Sequence, residues 1–452
     1  MTKNEVSAEY KKIMELALPA IAGLSTQMVV SLVDTAMIGR LGHATYALAA
    51  MGVGVLATWA LISFFSSLAT GTHVLVARSF GQKDYNECGN VLNTSFVLSL
   101  LIGILVSFAG VLSAYSISQF FSADQFVGKL AGDYLYFRFM GIPFFLITVS
   151  FRGFFFGIGK TKIFMYSAIL VNFLNIIFNY IFIFGAFGIK GMGLAGAGIG
   201  STLATMCDVV FYLTVLSFHI YRSKFNYFKN FRFSLKLATS IVNISLPVSL
   251  QNVFILVGFL VFISITGLIG TQEQAASQLV ISSLMISIMP CFGFGIAVQT
   301  LVGSSFGAGD NNKAVFYGFQ TSKIATIYTI IVGLIFSFFP RVILNIVTEN
   351  QSIIETAVPA LRIAGFGQIF YGIGVVLANS LQAVGKSLYV MIADVISNWI
   401  IFLPISYLLG ITFDLGLRGA WAGLPIYVIL YSIMMVLKFN FGSWKYSGYP
   451  KK

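Results

Sequence analysis

The chain has 452 residues, of which 58% are apolar and only 9% are Asp, Glu, Lys or Arg. An ordinary soluble domain carries about 25% of these charged residues, so this composition cannot form a water-soluble surface. Soluble enzymes, nucleic-acid-binding modules, disordered tails and secreted disulfide scaffolds are therefore excluded. Stretches without any acid, lysine or arginine cover 41–77, 237–272 and 274–309. Each is longer than the roughly 20 residues that a helix needs to cross a bilayer, which predicts a polytopic membrane protein.

Twelve apolar segments are predicted to be transmembrane helices. They are long and continuous, whereas a membrane barrel shows segments of about ten alternating residues. In chain order they cover 13–39, 46–77, 90–118, 133–158, 162–185, 193–220, 238–269, 274–304, 314–339, 355–384, 387–409 and 418–439. The predicted fold class is an all-α polytopic membrane protein.

The distribution of basic residues predicts the topology. With the N-terminus inside, twenty of the 27 Lys and Arg residues fall on the cytoplasmic side and seven on the outer side. Because cytoplasmic loops are enriched in Lys and Arg, both termini are predicted to be cytoplasmic. The net charge of +12 is therefore a topology signal and does not indicate a nucleic-acid partner. The expected location is the cell inner (plasma) membrane, reached without a cleaved signal peptide.

The two halves of the chain repeat each other. Residues 76–84 match 302–310 with five identities at an offset of 226, and the same offset pairs Asn172 with Asn398. Leu-Pro at 18–19 matches Leu-Pro at 246–247. A duplicated six-helix unit keeps its orientation, so a pseudo-two-fold axis along the membrane normal is expected, as in transporters with two lobes.

The repeat divides the chain into three parts: an N-lobe over 1–221, a basic cytoplasmic linker over 222–236 and a C-lobe over 237–452. The linker holds five cations and no acid. We interpret it as an anchor against anionic lipid, with a regulatory or partner site as the alternative.

Ionisable residues at membrane depth are functional candidates because their insertion is unfavourable. Asp34 in the first helix is predicted to be a proton or cation site, with a structurally paired carboxylate as the alternative. Gln27 is seven residues earlier on the same face. Asp208 in the sixth helix and Asp394 in the eleventh are predicted to be structural, satisfied by water or a neighbouring cation. His43 and His73, single histidines near helix ends, are predicted to lie at the membrane interface.

The fifth predicted helix carries a polar stripe formed by Asn172, Asn175 and Asn179. Unsatisfied amides are unfavourable in lipid, so the stripe must face protein or water. Packing between helices and lining of a cavity are both open explanations. With Gln27 and Thr202, the stripe forms the predicted substrate or coupling cavity.

Catalytic and metal-binding signatures are absent from the sequence. The turn at 159–161 has Phe154 where a phosphate-binding loop requires glycine. Cys88, Cys207 and Cys291 show neither zinc-site spacing nor a disulfide framework. We therefore expect no enzyme activity, no cofactor and no bound metal.

Several motifs together resemble one family. They are the Leu-Pro at 18–19, Val-Asp-Thr-Ala-Met-Ile-Gly at 33–39, Ala-Arg-Ser-Phe-Gly at 77–81, Arg-Gly at 152–153 leading to Gly-Lys-Thr at 159–161, and Gly-Met-Gly-Leu-Ala-Gly-Ala at 191–197. In this order, and over nearly the whole chain, the sequence resembles the MATE (multidrug and toxic compound extrusion) transporters, in particular their DinF-like branch.

The resemblance implies an antiporter in which an inward gradient of protons or sodium ions drives out amphipathic, often cationic compounds. Asp34 matches the family's first-helix acid, and Asn175 and Asn179 match polar positions on its fifth helix. DinF-like members often have a second acid where Asn179 stands. Ile255 and Tyr371 occupy the positions of the NorM-like acids, which disfavours a sodium site in the C-lobe.

Together these observations predict that Asp34 exchanges a proton for substrate, with sodium as the alternative ion. Its carboxylate would attract a cation, and its protonated form would not. The expected partners are small amphipathic or cationic substrates and the lipid bilayer, with no nucleic acid, and the expected state is a monomer. The alternatives are a lipid-linked oligosaccharide flippase and, from another class, a passive channel or receptor.

Overall fold

In the computed structural model, residues 3–42, 44–229, 231 and 233–446 are described. All regular structure in these residues is helical, and they contain no strand, which confirms the predicted all-α class. His43 lies outside the described residues, as do three of the twenty basic residues counted above on the cytoplasmic side, Arg232, Lys451 and Lys452.

Seventeen α-helices occur in the described part of the chain. They are α1 Lys3–Ile38, α2 Ala44–Ser66, α3 Leu68–Gly81, α4 Tyr85–Phe120, α5 Gln125–Met140, α6 Ile142–Gly157, α7 Thr161–Phe184, α8 Leu194–Ser217, α9 His219–Phe225, α10 Leu235–Ile269, α11 Thr271–Gly307, α12 Asn311–Phe338, α13 Pro340–Val347, α14 Gln351–Ala383, α15 Ser387–Val395, α16 Leu403–Tyr407 and α17 Gly416–Phe441. Two π-helical segments, Ile396–Phe402 and Leu408–Thr412, flank α16, and a short 3₁₀ turn, Ser443–Lys445, follows α17.

Eleven helical segments of the described residues are long and apolar enough to cross a membrane, and a bent pair, α5 and α6, brings the number to twelve. This agrees with the twelve predicted spans. The bend of 47° replaces the single helix predicted over 133–158. Gly141 ends α5, and Pro143 stands at the start of α6, where its ring and missing N–H do not allow α5 to continue.

Two other spans are less regular than predicted. The segment 46–77 is divided into α2 and α3 at Ser67, whose hydroxyl donates to the carbonyl of Phe64 over 2.6 Å and bonds to Ser249. The segment 387–409 alternates between α-helix and π-helix. A uniform apolar pattern cannot reveal such breaks, because they depend on local hydrogen bonds.

The chain forms two compact units: a C-terminal unit of Met1–Ile21 with Leu250–Lys452, and an N-terminal unit of Ala22–Ser249. Their boundaries fall inside α1 and α10. The units are groups of residues that pack together, whereas the predicted lobes are sequence repeats, so the lobe assignment stays a prediction. In the C-terminal unit, glycines let α12 and α14 approach closely. A Cβ at Gly333 would lie 2.5 Å from the carbonyl oxygen of Gly365, the small-residue contact expected in membranes.

The linker belongs to the N-terminal unit. Tyr227 is buried and donates its hydroxyl to the carbonyl of Leu216 over 2.6 Å, and the backbone N–H of Phe228 donates to Asn93. Lys224 lies 4.4 Å from the ring centroid of Tyr85. The linker is thus attached at several points, while its proposed role in lipid anchoring stays a prediction.

Candidate functional site

Asp34 lies near the C-terminal end of α1 and is half-buried. Nδ2 of Asn179, on α7, donates a hydrogen bond of 2.8 Å to Oδ1 of Asp34. The guanidinium of Arg138, on α5, exerts a further electrostatic attraction on the carboxylate. Three helices of the N-terminal unit therefore converge on one acid.

The polar stripe of α7 continues from this acid as a chain of amides. Nδ2 of Asn179 also donates to Oδ1 of Asn175 over 3.0 Å, and Nδ2 of Asn175 donates to the hydroxyl of Ser201 over 3.0 Å. Oδ1 of Asn179 is buried and has no hydrogen-bond partner. The site therefore contains a carboxylate and an unsatisfied amide oxygen, both of which favour a cation or a proton donor.

Gly200 of α8 explains how the amide of Asn179 is held. A Cβ at position 200 would lie 2.2 Å from Oδ1 of Asn179 and 2.8 Å from its backbone nitrogen. Only a residue without a side chain lets α8 approach α7 this closely. The glycine-rich entry to α8 is thus part of the site's construction.

Other predicted site residues are not members of this chain of hydrogen bonds. Asn172 donates to the hydroxyl of Thr26 over 2.7 Å, so it ties α7 to α1 further from Asp34. Thr202 donates to the backbone carbonyl of Phe137 over 2.8 Å. Gln27 is exposed. For these three residues a role in a substrate cavity stays a prediction.

Arg138 was missed by sequence reasoning, which counted it only as an outer topology charge. Its Nε is buried without a hydrogen-bond partner, and its side chain also bonds to buried Tyr134, one turn earlier on α5. An arginine within an apolar span, three residues before Gly141 and five before Pro143, was the available signal, since cations at such depth are rare without a role.

The two other buried acids have different surroundings. Asp208 accepts a hydrogen bond of 2.5 Å from Ser167 and is attracted by Arg152, a neighbouring cation of the kind predicted. Asp394 is 2% exposed and accepts hydrogen bonds from Gln251 and Tyr427, each of 2.8 Å. The expected water or cation at Asp394 is replaced by two neutral donors, because the eleventh span is packed against α10 and α17.

The predicted interfacial position of His73 is wrong. It lies inside α3, is 2% exposed and packs its ring against Phe156 at a centroid distance of 5.7 Å. Within the described residues, no group of three or more His, Cys, Asp or Glu side chains could hold a metal ion. The three cysteines are free.

Comparison with known proteins identifies similar sequences over nearly the whole chain. The MatE family model matches residues 19–181 and 247–408, two ranges that correspond to the two halves of the predicted repeat. A probable multidrug resistance protein NorM of Thermotoga maritima is 28% identical over 98% of this chain and 95% of its own length. A protein of the same name from Bacillus anthracis is 25% identical over 94% of this chain and 93% of its own length. These names lend no support to the DinF-like branch, which stays a prediction.

Solved structures show the same fold. A MATE crystallised in complex with MaL6 has a TM-score of 0.90 at 22% identity, covering 97% of both chains. A multidrug resistance MATE family transporter of the MOP superfamily, in an outward-facing conformation, has a TM-score of 0.88 at 22% identity and the same coverage.

Proposed function

Because this chain belongs to the MatE family, whose members are transporters and not enzymes, we propose that it is a secondary active antiporter. It exports amphipathic, often cationic compounds in exchange for protons by alternating access. The names of its relatives, multidrug resistance proteins, support the substrate class. It works in the plasma membrane with both termini in the cytoplasm, a topology supported by the bias of basic residues.

The observation that carries the proposal is the hydrogen-bonded pair of Asp34 and Asn179 inside a membrane-spanning unit. A carboxylate there has one neutral donor and one nearby guanidinium, so its charge is only partly compensated. It can take a proton on one oxygen or attract a cation, and each occupant disfavours the other. Such competition is the chemical requirement for exchange.

The transport cycle follows from that competition. Facing the proton-rich side, Asp34 accepts a proton and releases a bound organic cation. Facing the cytoplasm, it loses the proton and the carboxylate attracts the next cation. A gradient drives export only if the two conformations differ in affinity for proton and substrate. Asn179 can form a hydrogen bond with Asp34 in both protonation states. Its Nδ2 donates to the carboxylate, and after rotation of the amide its Oδ1 can accept from the protonated acid.

Uptake of a fluorescent cationic dye into inverted vesicles tests the proposal, with a proton gradient or a sodium gradient imposed in separate samples. Wild type is compared with Asp34→Asn and with a matched control, Asp414→Asn. Asp414 is exposed and has φ of 53°, a left-handed conformation that Asn also tolerates. We expect proton-driven accumulation in wild type and the control, and its loss in Asp34→Asn.

Other outcomes would redirect the assignment. Normal accumulation by Asp34→Asn would contradict the role of this carboxyl. Accumulation under the sodium gradient alone would replace the proton as coupling ion. Absence of dye movement under both gradients would favour transport of a lipid-linked oligosaccharide, and downhill movement that never exceeds equilibrium would favour a passive channel.

A further inference from the structure

A buried carboxyl group that the proposed exchange at Asp34 does not use lies in the C-terminal unit. Asp394 is 2% exposed, in the eleventh span. Nε2 of Gln251 donates to its Oδ2, and the hydroxyl of Tyr427 donates to its Oδ1, both over 2.8 Å. Gln251 is on α10 and Tyr427 on α17, so each carboxylate oxygen has one donor from a different helix.

The groups around Asp394 are neutral. Tyr427 and Tyr431 face it from α17 and Tyr371 from α14. Tyr389, on the same helix as Asp394, interacts with Tyr431, and Cys291 of α11 interacts with Tyr371. Gln251 of α10 carries no charge. In the described part of the chain, no Lys, Arg or His forms an ion pair with Asp394. A buried carboxylate without a counter-charge is strongly unfavourable, and uptake of a proton removes that charge.

The backbone beside this acid is unusual. α15 ends one residue after Asp394, and the π-helical segment Ile396–Phe402 begins there. π-helical turns are rare and are found frequently at functional sites. The segment holds Asn398, which is 4% exposed and whose Oδ1 is buried without a hydrogen-bond partner.

Oδ1 of Asn398, which has no hydrogen-bond partner, lies against α10, the helix that also supplies Gln251 to Asp394. A Cβ at Gly258 would lie 2.4 Å from Oδ1 of Asn398. Gly258 is seven residues after Gln251 on α10, and residues seven apart share one face of a helix. The interface between α10 and the eleventh span therefore contains an uncompensated acid and an acceptor without a donor.

From this geometry we propose that Asp394 is a second proton-exchange site, which binds one proton on a carboxylate oxygen and releases it during the transport cycle. The only bond that forms or breaks is the O–H bond, and the proton comes from and returns to water. In the neutral acid the new O–H donates to the oxygen of Tyr427, whose own hydroxyl then turns away. Asp34 differs because a guanidinium already attracts its carboxylate.

An infrared titration of the purified full-length chain in detergent tests this directly. The carbonyl stretch of a protonated carboxylic acid is followed as the pH is lowered, in wild type, Asp34→Asn, Asp394→Asn and the control Asp414→Asn. We expect one component that appears on acidification, is missing in Asp394→Asn and persists in Asp34→Asn. Tyr427→Phe should displace its midpoint, because the carboxylate loses a donor.

Two results of the titration would overturn the proposal. A spectrum of Asp394→Asn identical to that of wild type would show that Asp394 does not become protonated. A component that is lost in Asp394→Asn, but is present in wild type over the whole pH range, would show a permanently neutral, structural acid. Should Asp394→Asn fail to fold, Asp394→Glu keeps the carboxyl group and must move the component instead of removing it.

A second experiment measures the number of protons moved per dye molecule, and it rests on the proposed function. In proteoliposomes, the protons and dye molecules moved are recorded together. If both acids exchange, Asp394→Asn halves the number of protons per dye, whereas Asp34→Asn stops dye movement. An unchanged ratio in Asp394→Asn would contradict the second site. If wild type moves no dye, the proposed function fails, and the infrared titration still decides on Asp394.

Discussion

Asn179 donates a hydrogen bond of 2.8 Å from Nδ2 to Oδ1 of Asp34, which joins α7 to α1 in the N-terminal unit. The same nitrogen donates to Asn175. One amide therefore couples the acid to the polar stripe, and any change in the charge of Asp34 alters the hydrogen bonds of α7. This arrangement makes Asn179 the residue whose substitution is most informative after Asp34 itself.

Asn179→Leu removes the donor to Asp34 while keeping a side chain of similar size. The half-buried carboxylate of Asp34 then lacks a hydrogen bond that is worth about 1–3 kcal/mol. When this bond stabilises the rate-limiting state of the proposed exchange, about 1.4 kcal/mol corresponds to a tenfold change in rate. We expect the initial rate of dye uptake to fall about tenfold. Asn243→Leu, at an exposed position of α10, is the matched control and should stay within about twofold of wild type. Equal losses in both variants would argue for a general packing effect.

Gly200→Ala tests the close approach of α8 to the site. The added Cβ would meet Oδ1 of Asn179 at 2.2 Å, so the amide or the helix must shift, and overpacking of this kind costs about 1–3 kcal/mol. We expect a lower Tm in detergent together with slower dye uptake. Gly52→Ala is the control, because a Cβ at Gly52 meets nothing within 4 Å. Wild-type uptake by Gly200→Ala would mean that the position of Asn179 is not critical.

Asp208→Asn tests whether Asp208 has a structural role or takes part in proton coupling. The substitution removes the charge opposite Arg152 and weakens the bond from Ser167, which should cost about 1–3 kcal/mol of stability. We expect a lower Tm but dye uptake per folded molecule close to that of wild type. Thermal unfolding and transport are therefore measured on the same preparation. Loss of uptake at unchanged Tm would instead assign Asp208 to the coupling mechanism.

Glu9→Gln tests how the start of α1 is held within the C-terminal unit. Glu9 forms an ion pair with Lys313 at 3.1 Å and accepts a hydrogen bond from Tyr317. Because Glu9 is largely buried, losing this charge-assisted network should destabilise the unit by about 1–3 kcal/mol, seen as a lower Tm. Glu355→Gln breaks an exposed ion pair with Arg341 and should leave the Tm unchanged, since exposed pairs contribute little. Similar Tm values for the two variants would contradict the prediction.

The candidate acid was predictable and its partners were predictable only in part. Asp34 is the single acid in the apolar stretch 16–39 of the first span, so the unfavourable insertion of its carboxyl group into the membrane identified it as a candidate. The amides of α7 were visible as a stripe at helical spacing, but nothing in the spacing distinguished Asn179, which contacts Asp34, from Asn172, which contacts Thr26. That choice depends on how α7 is rotated against α1. Asp394 was visible too, yet its neutral partners were not.

Composition, the length of the apolar runs and the sequence matches between the two halves determined that this is a membrane protein of about twelve helical spans in two related halves. The physical reason is that, in lipid, every backbone N–H and C=O must be satisfied within its own segment, so long apolar runs have no alternative to the helix. The position of the first-helix acid follows from the same pattern.

Only the tertiary structure decided which side chains meet. Asn179 lies 145 positions after Asp34, and Arg138 reaches the same acid from a helix that bends immediately after it. The break at Ser67, the bend at Gly141 and the π-helical turns beside Asp394 likewise do not follow from hydropathy. Hydrophobicity acts on each segment independently, whereas these features depend on hydrogen bonds and close contacts between segments that are far apart in the sequence.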